Sequence, residues 1–256
     1  MPSLKALLQL MVERKGSDLH IASGAPPELR IDGVLVAVPG EPLSAEESRR
    51  LCYEILTPEQ IKEFESSREL DLSFAVEGLS RFRANIYRQK DSVGGAFRTI
   101  PFQIPLPQDL GVPAAALSLI SKPRGLVLVT GPTGSGKSTT LASMLDQINR
   151  TESVHIMTVE DPIEFVHEHK KSFVSQREIG KDSMNFGEAL RHVLRQDPNV
   201  ILIGEMRDLE TMAAAITISE TGHLVFATLH TNTAVQTINR IIDVFPPHQQ
   251  PQIRTQ

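Results

Sequence analysis

The sequence predicts a mixed α/β fold in two parts, a small α/β unit up to about residue 100 and a mostly parallel sheet beyond it. Three observations carry this. Four uninterrupted apolar runs, at 126–129, 154–159, 200–203 and 224–229, alternate with helical patterns, as parallel strands covered on both faces do. Residues Gly131-Pro132-Thr133-Gly134-Ser135-Gly136-Lys137-Ser138 fit G-x-x-x-x-G-K-[ST] between one of those runs and a helix with apolar Leu141, Met144, Leu145 and Ile148. Prolines at 101, 105, 107 and 113 forbid a continuous helix or central strand there, so the linker is expected at 101–113, between a domain at 1–100 and one at 114–256.

In the first part, Leu4, Leu7, Leu8 and Met11 fall at i, i+3, i+4 and i+7, one face of a helix that Gly16 is placed to end. A short strand is expected at 19–21 and a hairpin at 29–38, with Asp32-Gly33 suited to positive φ at its turn. Ser44 with Glu47 and Thr57 with Gln60 have capping-box spacing, and Pro58 stands at the first position of its helix. Strands follow at 70–76, 80–88 and 94–100. In the middle one, Phe82, Ala84 and Ile86 alternate with Arg81, Arg83 and Asn85.

The bulk properties bound the function. The chain has 256 residues, 40% hydrophobic and 22% charged, in the range of foldable globular proteins. A net charge of −5 gives no electrostatic footprint for nucleic acid. The single Cys52 permits no internal disulfide, and there is no long apolar run. A cytosolic protein is expected, associated with membrane only through partners.

The glycine loop predicts phosphate binding. Its glycines let several N–H groups converge on an anion, and the helix start adds partial positive charge. Lys137 is expected on the β- and γ-phosphates, Ser138 on Mg²⁺, and Thr139 in the same first turn. Magnesium beside a triphosphate also needs a carboxylate at a neighbouring strand end; Glu205 closes the run Val200–Ile203 and Gly204, although it also suits a solvated strand end. Three acids, Glu160, Asp161 and Glu164, compete to activate the attacking water, and the residues alone do not choose among them. His223 and His230 flank the run at 224–229. Arg191 and Arg195 lie four apart on a helix with apolar Phe186, Ala189, Leu190, Val193 and Leu194, so they are expected to project together. Arg83 and Arg98 lie on adjacent strands. Such charges suit a solvated face or an arginine finger reaching a neighbouring subunit's nucleotide.

Taken together, 131–138, the acidic segment Thr158-Val159-Glu160-Asp161-Pro162-Ile163-Glu164, the segment 194–208 and the histidine box from His223 to His230, Thr231 and Asn232 resemble the secretion ATPase superfamily, in its type IV pilus retraction branch. Gly16-Ser17-Asp18-Leu19-His20 and Ser80-Arg81-Phe82-Arg83 extend the resemblance over essentially the whole chain. It implies a PAS-like N-terminal domain, a RecA-like ATPase domain, and a homohexamer binding ATP and Mg²⁺ between domains and subunits. It implies Glu164 as catalytic base, Glu205 as the Walker B acid, functional His223 and His230, and nucleotide or intersubunit contacts by Arg83, Arg98, Arg191 and Arg195. The implied task is pilin disassembly and twitching motility, performed in the cytoplasm against an inner-membrane platform protein. The single cysteine sets the chain apart from relatives with a four-cysteine zinc module. Family members continue beyond the point matching Gln256, so the chain is expected to be C-terminally incomplete, with nucleotide binding more robust than motor action. Two other readings remain: a nucleotide-bound regulator without sustained turnover, and a related secretion or DNA-uptake ATPase.

Overall fold

Ser3 starts helix α1, Leu4–Glu13, by accepting the Ala6 N–H on its hydroxyl, and the helix buries Leu4, Leu7, Leu8 and Met11 on one face. Past its end the left-handed residue is Lys15 (φ 55°), and the Gly16 N–H donates to Met11 O. The computed structural model describes residues 3–100 and 104–255. The chain divides into two units, Met1–Phe102 and Gln103–Gln256; residues 101–103 of the expected linker lie outside the described residues.

The first unit contains β1 (Asp18–Ile21), β2 (Glu28–Ile31), β3 (Val34–Ala37), α2 (Ala45–Tyr53), α3 (Pro58–Ser67), β4 (Glu69–Val76), β5 (Ser80–Gln89) and β6 (Ser92–Ile100). Asp32 and Gly33 both take positive φ between β2 and β3, as a two-residue hairpin turn requires. Both capping boxes form. The strands make one antiparallel sheet, β3-β2-β1-β6-β5-β4. Phe82, Ala84 and Ile86 of β5 are buried with Phe64 and Phe97, whereas Arg83 is exposed. The alternation in the sequence thus becomes one core face and one charged face.

The second unit runs α4 (Ala114–Leu117), β7 (Gly125–Thr130), α5 (Lys137–Thr151), β8 (His155–Glu160), β9 (Phe173–Glu178), α6 (Phe186–Val193), β10 (Val200–Ile203), α7 (Leu209–Glu220), β11 (Leu224–Leu229), α8 (Ala234–Val244) and α9 (Gln250–Ile253). Its five strands are all parallel, in the order β7-β11-β10-β8-β9. Leu141, Met144, Leu145 and Ile148 of α5 pack with Ile156, Leu202 and Phe226. The alternate strand residues Val159, Ile201, Ile203 and Val225 pack with α6, α7 and α8 through Leu190, Met212 and Ile241. Helices therefore cover both faces, and every strand of the sheet runs the same way. The register aligns Thr130 with Leu229, Ala227 with Ile203, Ile203 with Val159, and Glu160 with Glu178. The loops after β7, β8, β10 and β11 consequently leave from one edge, where ligands of such sheets bind.

The mixed α/β class read from the sequence holds, with two local differences. Strand β9 has no counterpart among the apolar runs. Helix α6 ends at Val193 with Leu194 as its C-cap, and Arg195 lies in the following turn, its N–H donating to His192 O. The expected shared helix face of Arg191 and Arg195 is therefore corrected. Asp197 precedes Pro198 and sits at φ 52°; helical backbone is disfavoured before proline, so the helix cannot continue to Pro198, and Leu194 is exposed.

Candidate nucleotide-binding site

Strand β7 delivers the chain to Gly131, and α5 begins at Lys137. Gly131, Gly134 and Gly136 have φ of 152°, 79° and 87°, values that an L side chain rarely tolerates. A Cβ on Gly131 would lie 2.6 Å from Ser135 Oγ. No side chain caps α5, so the N–H groups of Lys137, Ser138 and Thr139 have no acceptor within the helix and point to the loop with the positive end of the dipole. That is a cradle for phosphate. Pro132, Thr133, Gly134, Ser135 and Gly136 are exposed around it, and Lys137 is buried. Lys137 Nζ donates to Gly131 O at 2.9 Å and Pro132 O at 3.0 Å, which holds the ammonium within the loop.

Glu205 follows β10 and is fixed from both sides. The Gly204 N–H donates to Val159 O, Thr228 Oγ1 donates to Gly204 O at 2.5 Å, and the Met206 N–H donates to Thr228 O. Position 204 is tight, since a Cβ there would come within 3.2 Å of Glu160 Cα. The Glu205 carboxylate meets Arg207 at 2.8 Å and His230 Nε2 at 3.3 Å. The other imidazole nitrogen of His230 lies 3.5 Å from Lys137 Nζ. Burial by itself would raise the Glu205 carboxyl; Arg207 and then His230 outweigh it and hold the group below the usual carboxylate range. Lys137, His230, Glu205 and Arg207 thus form a continuous chain from the loop after β7 to the end of β10.

The acidic segment separates its three candidates by environment. Glu160, at the end of β8, is buried and accepts from Thr158 Oγ1 at 2.6 Å and Gln176 Nε2 at 3.2 Å; burial pushes its carboxyl up to about 7. Asp161 and Glu164 are exposed on the loop that follows. The remaining sequence candidates have other partners. His223 precedes β11, at the opposite end of the strand from His230, with Nδ1 3.2 Å from Ile218 O. Arg191 pairs with Glu188 at 3.1 Å and Glu210 at 2.8 Å. In the first unit, Arg98 binds Asp18 at 2.8 Å and Arg83 lies 3.9 Å from Asp71. Sequence reasoning missed Arg207, Gln176 and Glu178. Arg207 stands two residues after Glu205, a proximity that could have flagged it, but the two β9 residues carry no sequence signal for burial.

A phosphate-cradling loop between the first strand and helix of a parallel sheet, with a carboxylate at the end of the next strand but one, defines a P-loop nucleotide-binding protein. Residues 110–250 match the family described as Type II/IV secretion system protein, and the chain belongs to that family. It is 50% identical over 249 residues to the "Type IV pilus retractation ATPase PilT" of Pseudomonas aeruginosa, an alignment covering 97% of this chain and 72% of that protein. To the "Type IV pilus ATPase PilU" of the same organism it is 42% identical over 247 residues, covering 96% and 65%. It also resembles the structure described as "Crystal Structure of the Pilus Retraction Motor PilT and Bound ADP", with a TM-score of 0.95 and 49% identity over 99% of this chain and 74% of that one. The chain is an ATPase of this family.

Proposed function

We propose that the chain is the ATPase of a type IV pilus retraction motor, acting as a homohexamer with a PAS-like first unit and a RecA-like second unit. The supporting observation is the linkage of Lys137 to Glu205 through His230, on a chain half identical to a pilus retraction ATPase. Lys137 and the first-turn amides of Ser138 and Thr139 bind the phosphates, and residues Gly131 to Gly136 shape the loop. The oxygen donors Ser138 and Glu205 suit a hard divalent cation, and they are the groups that would hold Mg²⁺. When bound, that ion neutralises charge on the phosphates. Glu164 accepts the proton of a water whose oxygen attacks the γ-phosphorus as the bond to ADP breaks. Arg83, Arg98, Arg191, Arg195 and His223 act at nucleotide sites shared with neighbouring subunits. Among the described residues, no helix is long and apolar enough to cross a membrane; work on the pilus proceeds from the cytoplasm through an inner-membrane platform protein.

The test is Glu164→Gln, followed by steady-state ATP turnover and fluorescent-nucleotide binding. Loss of a general base lowers kcat by about 100-fold or more while affinity holds within a few-fold. Wild-type turnover in this variant removes Glu164 from the mechanism. Absence of turnover in the wild-type chain, with binding intact, would instead support a regulator. Molecular mass with and without a slowly hydrolysed ATP analogue tests the hexamer.

A further inference from the structure

The inward face of strand β9 begins with buried Val174 and then turns polar. Gln176 and Glu178 are two apart, so they share a face, and they stand in register with Thr158 and Glu160 of β8. Glu178 is only 4% exposed. Burying a carboxylate is costly unless its oxygens are well occupied, and here they are. Glu178 accepts the Ile163 N–H at 3.2 Å and pairs with Lys181 at 2.6 Å, while its own N–H donates to Asp182 Oδ2 at 2.8 Å.

Gln176 is used at both ends. Its Oε1 accepts the His167 N–H at 2.7 Å, and its Nε2 donates to Phe165 O at 2.9 Å as well as to Glu160. Glu160 in turn accepts the Glu164 N–H at 3.5 Å. Backbone groups at 163, 164, 165 and 167, which a surface loop would give to water, are all bound by side chains from the strands below. The side chains of Ile163, Phe165 and His167 are buried, and Glu164 alternates outward between them.

We infer that Gln176 and Glu178 are positioning residues, whose hydrogen bonds to the 163–167 backbone fix the direction of the Glu164 carboxylate. This rests on the reading of Glu164 as the catalytic base. Their bonds to Glu160, Ile163, Phe165 and His167 lie on the acidic segment and the loop after it, so their loss is expected to act on turnover and not on binding.

The experiment places Gln176→Leu, Glu178→Leu and Glu178→Gln in the wild-type and Glu164→Gln backgrounds, and measures ATP turnover and fluorescent-nucleotide affinity in each. Both leucine variants should lower kcat at least tenfold, toward the roughly 100-fold that an ångström of misplacement costs, with affinity within about threefold. Glu178→Gln keeps an acceptor for the Ile163 N–H and should recover most of the loss. In the Glu164→Gln background neither leucine variant should lower the residual turnover further, because the group they position is already gone. Unchanged kcat in the leucine variants, an equal further loss in that background, or parallel loss of affinity overturns the inference. Should a leucine variant fail to fold, Gln176→Glu keeps its shape and the acceptor for His167 but loses both donated bonds. Unchanged kcat there is equally decisive. An inactive Glu164→Gln beside fully active β9 variants sinks the positioning role alone, whereas an active Glu164→Gln sinks the reading it rests on.

Discussion

Two buried titratable groups in one loop region should impose opposite pH dependences on the stability of the second unit, and removing either should expose the other. Burial raises the Glu160 carboxyl from its ordinary 4.5 to about 7. Between those values the folded state holds the proton more tightly than the unfolded chain, so stability falls as pH rises. Burial lowers His167 from 6.5 to about 4, against the pull of Asp146 and with help from Lys170. Between those values the unfolded chain holds more protons, so stability falls as pH drops. Each shift is worth roughly 3 kcal/mol, and over pH 4.5 to 6.5 the two nearly cancel. Glu160→Gln should therefore leave a second unit whose stability climbs by roughly 3 kcal/mol from pH 4 to 6.5. His167→Leu should leave one that loses a similar amount from pH 4.5 to 7. Asp146 is lowered too, with burial opposed by Lys170 and Arg150; its stabilisation disappears only at more acidic pH. Urea unfolding followed by far-UV circular dichroism suits a chain without tryptophan. Both groups lie in the second unit, so only its transition should move. A difference between Glu160→Gln and wild type that stays constant within about 1 kcal/mol from pH 5 to 8 would refute burial as the cause of the raised carboxyl.

Three further outcomes follow from the loop and its surroundings. Lys137→Ala should weaken fluorescent-nucleotide binding by about 10- to 100-fold, the range for bonds from a charged donor, without shifting the unfolding of the first unit. Gly136→Ala forces a side chain to φ 87° and should destabilise the second unit by about 1–2 kcal/mol in urea unfolding, with loss of nucleotide affinity. Arg191→Ala removes exposed pairs with Glu188 and Glu210 and should cost under about 1 kcal/mol; turnover reduced tenfold or more in that variant would then report a contact beyond its own chain.

The fold was legible where burial and apolarity coincide. Runs such as Val200–Ile203 have every residue buried, and the capping boxes at Ser44 and Thr57 form as their spacing requires. Strand β9 was hidden for the opposite reason. Phe173 faces outward at 60% exposure, while Gln176 and Glu178 face inward to bind a loop. Hydrophobic periodicity cannot register a strand whose buried face holds Val174 alone as an apolar residue and is otherwise polar. The end of α6 was missed because the apolar spacing continues through Leu194, although the helix stops at Val193, short of the backbone restriction before Pro198.

The histidine pair shows how a motif can unite residues that one chain keeps apart. His223 and His230 bracket β11, whose six residues are fully extended. Seven residues at about 3.3 Å each place them roughly 23 Å apart along the strand. A single phosphate cannot meet both within one chain. His230 stands where the ladder brings the end of β11 beside β7 and β10, so it reaches Lys137 and Glu205 together. The His223 imidazole meets the turn that closes α7, and its carbonyl accepts the Gly125 N–H at the start of β7. On the proposed function, any part His223 plays in turnover would therefore pass through the body of β11 or come from a second copy of the chain, whereas His230 is placed beside the phosphate loop of its own chain.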